Sequence, residues 1–397
     1  MEKILGKLRT FFSRPVFSDP RTLLGLWTLL ALVSSLMKFS KCNNFLIFKY
    51  VYWHAVEGVS LYAPSPLYDD VNHYGPLFSL VVAPFAIAPH PWGLILWHVA
   101  MTLVLFYAVR RLPLAWGKQV VIYWFCAHEL LTALFMSQFN IIIAAIIIGA
   151  FILVERGHDG LATLLIIVGT FVKLYGIAAL AFFFFSRHKR RFVLTAIGWA
   201  AVMYVVPCLV FGFDYINGQY AEWITCLGEK NGENMFSLYQ NQSLLGMVRK
   251  ISGCASYSDL WLLVPGLVAF CLPYLRRSQY GYLSFRLAFL ASALMFVVLF
   301  STGSESSTYI IALLGVAVWY VSAPWKRSRA DIGLMVFAFI LTSMSPSDLF
   351  PAVVRRQLVQ PYALKALPCI VVWAKLVYEL LTRDYKPLTD SNNEDRI

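Results

Sequence analysis

Apolar runs separated by short polar joints fill most of the chain: Leu23–Leu36, Trp92–Tyr107, Val120–Phe135, Ile141–Val154, Leu161–Val172, Leu174–Phe185, Phe192–Phe213, Leu260–Leu275, Leu287–Leu299, Tyr309–Val321, Ile332–Leu341 and Ile370–Leu381. The pattern predicts an all-α polytopic membrane protein of about twelve crossings. Several runs fall short of the ~20 residues that a full crossing needs, unless flanking polar residues enter the bilayer ends or the bilayer thins.

The basic residues punctuate this pattern. Arg110-Arg111-Lys118, Arg187-His188-Lys189-Arg190-Arg191, Arg276-Arg277 and Lys326-Arg327-Arg329 stand where every second apolar run ends. That spacing holds Lys and Arg in the cytoplasm while a polytopic chain is threaded, so both termini are expected inside. The stretch Leu161–Phe185 starts after Glu155-Arg156 and ends at the Arg187–Arg191 cluster, both expected inside. An even number of crossings must separate them, which predicts a turn near Lys173 on the outer side. Counted as a crossing, the segment Pro76–Pro89 would put Arg110 and Arg111 outside. It is therefore expected to lie along the outer surface as a helix bounded by Pro76 and broken at Pro84 and Pro89.

Composition agrees. The 397 residues are 59% hydrophobic and 14% charged, far from the quarter charged of a soluble domain. The formal net charge of +12 sits in short joints without an aromatic-interleaved basic patch. Topology and anionic lipid head groups account for it better than nucleic acid does. Lys3, Lys7, Arg9 and Arg14 precede the first run without a small-residue cleavage site, the pattern of a cytoplasmic amphipathic lead-in. The seven cysteines have no metal-ligand spacing; Cys226 and Cys254 share one outer loop and can either pair or remain thiols. One integral membrane domain, 1–397, is expected, with outer loops 37–91 and 214–258 and a cytoplasmic tail 383–397.

Sorting the polar residues by side places most chemistry opposite the basic clusters, on the extracytoplasmic face. Asp69 and Asp70, next to His73 and Tyr74, offer a general base for a hydroxyl nucleophile or a solvated turn with an N-cap. His128 and Glu129 lie in the outward half of the third run, where an ionisable group faces a cavity or a buried partner. Ser137-Gln138-Phe139-Asn140 heads the fourth run, with its amides either binding substrate or capping the helix. Lys173 either snorkels to the interface or meets a phosphate there. Gln240, Asn241 and Gln242 form an amide-rich loop, and Glu305 is a lone acid in a short turn. Arg355, Arg356 and Lys365 run against the positive-inside trend, as an anionic ligand or lipid phosphate would require.

Taken in order, Tyr74-Gly75-Pro76-Leu77-Phe78 with Pro84-Phe85-Ala86, Ser137-Gln138-Phe139-Asn140, Phe171-Val172-Lys173-Leu174-Tyr175 and Asn241-Gln242-Ser243-Leu244-Leu245-Gly246 resemble the spaced signatures of glycosyltransferase family 87. The resemblance implies a C-type glycosyltransferase fold, with many transmembrane helices and surface helices in the first outer loop. It also implies inverting transfer of a sugar, such as mannose, from a polyprenyl-phosphate donor to a lipid or glycan acceptor at the plasma (inner) membrane, without cofactor or metal. The chain departs from the family at Asn44, where an acid is usual, and at Ser306 and Ser307, where the family tends to carry His. An amide cannot accept a proton, so Asn44 can only orient substrate. Asp70 is expected as the base, with Asp69 and Glu305 behind it, because an Asp70 that begins a helical turn would share one side with Tyr74 four residues on. Lys173, Arg355, Arg356 and Lys365 are then expected at the donor phosphate, and Asn44, Tyr74, His128, Glu129, Gln138, Asn140 and Gln240–Gln242 at the substrates. The alternative class is a transporter or flippase of lipid-linked or small solutes, which predicts midplane polar groups and inverted repeats; the polar groups lie at outer ends and no repeat is found.

Overall fold

The computed structural model describes residues 14–40 and 42–387. The lead-in at Lys3, Lys7 and Arg9 and most of the 383–397 tail lie outside the described residues. Among the described residues the chain is helical, with no strand, and it divides into two compact units, 1–177 with 190–232 and 178–189 with 233–397.

In the first unit, α1 (Pro20–Lys38) begins at Asp19, whose carboxylate accepts the Arg21 and Thr22 amides at 2.7 and 3.1 Å. An acidic cap followed by proline at the first helical position is the standard way to start a helix here, because it satisfies donors that the ladder leaves open. There follow α2 (Asn43–Glu57), α3 (Phe78–Ala86), α4 (His90–Arg110), α5 (Trp116–Phe135), α6 (Asn140–Glu155), α7 (Asp159–Val172), α8 (Lys189–Phe211) and α9 (Phe213–Asn234). Helix α1 packs on α4 and α5, α2 on α3, and α6 on α4 and α7. The second unit holds α10 (Leu244–Ser252), α11 (Leu260–Cys271), α12 (Leu283–Leu299), α13 (Tyr309–Ser322), α14 (Arg329–Phe337) and α15 (Leu367–Thr382). Its core is α12 against α13, both buried along nearly their whole length, with α15 across them.

Each predicted apolar run coincides with a helix. Leu174–Phe185 is a 3-10 helix, and the run from Ile332 continues beyond α14 as a π-helical segment, Ala338–Met344. Three helices, α1, α4 and α8, are long and apolar enough to cross a membrane.

The structure corrects three expectations. Helix α3 runs through Pro84 instead of breaking there. Phe78, Val82 and Ala86, four residues apart, bury one face against α2 and α4, and that packing carries the helix past the one ladder bond Pro84 cannot make. Second, the stretch 214–258, expected as an open loop, contains α9 and α10. Helix α9 has no apolar run, yet Ile216, Gln219, Trp223 and Cys226 recur at helical spacing and are all buried. Third, Asp70 starts no helical turn. It is left-handed, with φ of 68°, and residues 69–75 contain no helix, so the i,i+4 argument that would put Asp70 and Tyr74 on one side does not apply. Cys226 and Cys254 carry thiols and no disulfide.

Candidate functional site

The first unit brings three of the sequence motifs together. The turn expected near Lys173 is present: Lys173 is extended at the end of α7 and the 3-10 helix follows. Gly75 donates its amide to the Val172 carbonyl at 3.0 Å, joining the first motif to the third. A Cβ on Gly75 would lie 2.1 Å from the Phe171 carbonyl oxygen and 3.0 Å from the Trp223 ring. Only glycine permits that approach. Tyr74 stacks on Phe78 with ring centroids 4.6 Å apart, and its hydroxyl accepts the Phe139 amide at 3.4 Å. Lys173 then closes the group, donating Nζ to Asn140 Oδ1 at 2.7 Å. Its ammonium stands over the Tyr175 ring at 4.8 Å and the Tyr74 ring at 5.5 Å. Asn140 is itself held, with Nδ2 donating to Gln138 Oε1 at 2.8 Å. Electrostatically this is a half-buried cation fixed by an amide oxygen and two aromatic faces, an arrangement suited to an anionic group.

Below it, Ser137 is left-handed, with φ of 52°. Its hydroxyl lies 2.6 Å from His98 Nε2 and 2.9 Å from Cys42 Sγ, and its carbonyl accepts Trp97 Nε1 at 2.8 Å. These contacts fix where α6 begins and so where Asn140 sits. Asn44 donates to the Met136 carbonyl at 2.7 Å, which places it beside this same turn. His128 is half-buried and Glu129 fully buried within α5.

A second arrangement surrounds the acids of the first loop. Asn43 holds the Asp69 backbone from both sides, Nδ2 to carbonyl at 2.6 Å and amide to Oδ1 at 2.8 Å. The Asp69 side chain is exposed. Asp70 faces α9: Lys230 Nζ lies 3.2 and 3.1 Å from its two carboxylate oxygens, and His73 Nε2 lies 3.4 Å from Oδ1. The His73 contact first, then the Val71 amide and the Lys230 charge, hold the Asp70 carboxyl well below the usual carboxylate range, although partial burial opposes them. Trp223 Nε1 donates to the His73 carbonyl at 3.0 Å and the Leu61 amide donates to Gln219 Oε1 at 2.7 Å, so α9 clamps the loop along its length. Sequence reasoning missed Lys230, Trp223 and Gln219 because three glycines and a low hydropathy disguise α9. The spacing of Gln219, Trp223, Cys226 and Lys230 on one helical face was the available signal.

The second unit gathers the fourth motif with the late turn. Ser243 caps α10 by accepting the Gly246 amide at 3.0 Å and donates to Asn241 Oδ1 at 2.9 Å. The Gln242 amide donates to the Ser304 carbonyl at 2.7 Å, and the Gln242 carbonyl accepts the Tyr309 hydroxyl at 2.6 Å. Glu305 caps the turn in a reciprocal bond with Thr308, a structural use of the carboxylate beside any chemical one. Lys365, buried, donates to the Ser306 carbonyl and hydroxyl at 2.9 and 3.0 Å and lies 5.1 Å over the Tyr309 ring. Lys250 donates to the Gln240 carbonyl at 2.9 Å, and burial pushes its ammonium down to about 8. Arg355 is engaged by the Pro346 and Ser347 carbonyls and lies 3.4 Å from Asp348, whereas Arg356 is exposed.

Gly75→Ala tests whether the first and third motifs depend on their close approach. The added methyl meets a backbone carbonyl, which cannot swing away, so a loss of ~1–3 kcal/mol of stability is expected. A lowered thermal midpoint, against a parent-like midpoint for Gly117→Ala, where an added Cβ meets open space, checks it. An unchanged midpoint for Gly75→Ala refutes the packing argument.

A helical chain with spans apolar enough for a membrane, carrying fixed cation and amide groups at helix ends, defines the class. The model of glycosyltransferase family 87 matches residues 72–302, more than half of the chain, and the chain belongs to that family. It is a glycosyltransferase. The match includes Tyr74, His128, Glu129, Gln138, Asn140, Lys173 and Gln240–Gln242, and leaves outside Asn44, Asp69, Asp70, Glu305, Arg355, Arg356 and Lys365. A search of curated proteins found no match.

Proposed function

We propose that the chain transfers a sugar, a hexose such as mannose, from a polyprenyl-phosphate donor to a lipid or glycan acceptor on the extracytoplasmic face of the plasma membrane, with inversion at the anomeric carbon. The observation that carries this reading is the junction of the three motifs at Lys173, because a cation fixed by Asn140 and two tyrosine rings suits the phosphate of such a donor. About twelve crossings with both termini cytoplasmic complete the reading.

In the reaction the acceptor oxygen attacks the anomeric carbon as the bond to the donor phosphate breaks. The departing polyprenyl phosphate gains negative charge, which Lys173 offsets. The acceptor proton passes to Asp70. Because Lys230 and His73 keep that carboxylate ionised, it is always ready to accept but is a weak base. Its part is to take the proton as the new bond forms, when the acceptor oxygen has become acidic, and not to make a free alkoxide beforehand. Gln240, Asn241 and Gln242 keep their assignment to substrate binding, and Arg355, Arg356 and Lys365 theirs to the donor phosphate. No metal or cofactor is assigned, since protein cations suffice for a phosphate leaving group.

Product analysis tests the activity directly. Purified protein incubated with candidate polyprenyl-phosphate sugars and a membrane lipid extract should yield a lipid heavier by one hexose; transport of the donor across vesicles without any product would favour the flippase class instead. Topology is tested separately. With the accessible Cys254 and Cys271 replaced, Asp348→Cys should react with an impermeant thiol reagent from outside and Lys326→Cys should not. Both positions are exposed, so accessibility alone cannot separate them, and labelling of Lys326→Cys from outside would invert every side assignment.

A further inference from the structure

The second unit contains a cavity of about 540 Å³ that the transfer chemistry does not use. Phe184, Cys271, Tyr274, Leu275 and Tyr280 line it together with Lys189 and Arg277, and both of these cationic residues are exposed. Among the described residues no acidic side chain lines it. The phenols are engaged elsewhere, Tyr274 donating to the Ala181 carbonyl at 2.6 Å and Tyr280 to the Tyr274 carbonyl at 2.7 Å. Their rings therefore present apolar faces. Phe184 lies 4.5 Å from Tyr274 by ring centroids, while Phe184 and Leu275 leave large exposed apolar area.

The two adjacent arginines differ in a telling way. Arg276 donates to the Leu380 and Arg383 carbonyls, both at 2.7 Å, and so ties down the end of α15. Arg277 is exposed and its guanidinium makes no hydrogen bond or ion pair among the described residues. Two exposed cations beside an aromatic and aliphatic lining match an amphiphile with an anionic head. Tyrosine rings and long cationic side chains gather at head-group level for that reason.

We propose that this cavity seats one anionic glycerophospholipid of the leaflet that the Arg187–Arg191 and Arg276-Arg277 clusters face. The phosphate and its anionic head-group charge lie between Lys189 and Arg277, and the upper acyl segments lie along Phe184, Leu275 and Cys271. The charge complementarity and the apolar lining each point to the same occupant: a free phosphate would have no use for the apolar lining, and a neutral lipid no use for the two cations. This site is independent of sugar transfer, and its test does not read activity.

The full chain, reconstituted in nanodiscs of equimolar phosphatidylcholine and phosphatidylglycerol and released gently, is examined for retained lipid by native mass spectrometry. Phosphatidylglycerol should be retained over phosphatidylcholine. Lys189→Gln with Arg277→Gln should reduce that preference by about tenfold, as the loss of two head-group cations predicts. Arg187→Gln with Arg190→Gln removes equal charge from exposed positions outside the cavity and should leave the preference intact. An unchanged preference in the Lys189/Arg277 variant, or an equal loss in the Arg187/Arg190 variant, would overturn the site and leave only general surface electrostatics.

Discussion

Asp70→Asn is expected to slow sugar transfer by ~10²–10⁴-fold, the range for loss of a positioned general base, with donor binding nearly intact. The amide keeps the size of the side chain and can still accept from Lys230, but it cannot take a proton. Lys230→Met gives the sharper diagnostic because the sign of its effect is fixed. Asp70 must be ionised to act, and its contacts with His73 and Lys230 hold its pKa below the ordinary carboxylate range. The acid limb of the rate profile attributable to Asp70 therefore lies at very low pH in the parent. Removing the ammonium raises the Asp70 pKa while the His73 and Val71 contacts remain, so ionisation, and rate with it, should be lost at a higher pH than in the parent. Retained activity in Asp70→Asn with loss in Glu305→Gln would transfer the role to the late turn. Silence of both, together with Asp69→Asn, would leave the reaction without a carboxylate base.

Lys173→Met should weaken binding of the polyprenyl-phosphate sugar far more than Lys173→Arg does. Methionine keeps the stem against the Tyr74 and Tyr175 rings but removes the charge, whereas arginine keeps the charge and can still meet Asn140 and a phosphate. The loss expected for a charge-assisted hydrogen bond is ~1.5–3 kcal/mol, or about 10–150-fold in affinity. Asn140→Leu provides the companion measurement: it leaves the ammonium but frees it from its amide partner, so it should lower affinity by less than Lys173→Met. Parent-like donor binding in Lys173→Met would reduce Lys173 to an interfacial anchor.

Much of this protein is written locally. Each apolar run became a helix because burial of a continuous apolar segment leaves the backbone no better partner than itself, and the turn at Lys173 followed from counting basic clusters. The motif residues were equally legible, since Tyr74, Asn140 and Lys173 stand out as polar or aromatic groups at the ends of apolar runs. Their partnership was not. That Lys173 bonds to Asn140, 33 residues away, and that Gly75 must lack a side chain to let the Phe171 carbonyl approach from about a hundred residues away, are tertiary contacts, and no local pattern encodes which pairs meet. Helix α9 was hidden for a different reason: its buried face is made of polar and aromatic residues, Gln219, Trp223 and Cys226, whose burial depends on the loop they clamp. The same dependence decided Asp70. As a sequence it was one of two adjacent acids; only when α9 delivered Lys230 and the loop folded His73 back did the two differ, Asp70 becoming ion-paired and Asp69 remaining exposed. Composition and periodicity thus determined the helices and the chemical groups at their ends, because those are short-range consequences of solvent and backbone, while tertiary structure alone chose which groups share a site and so which of them carry charge.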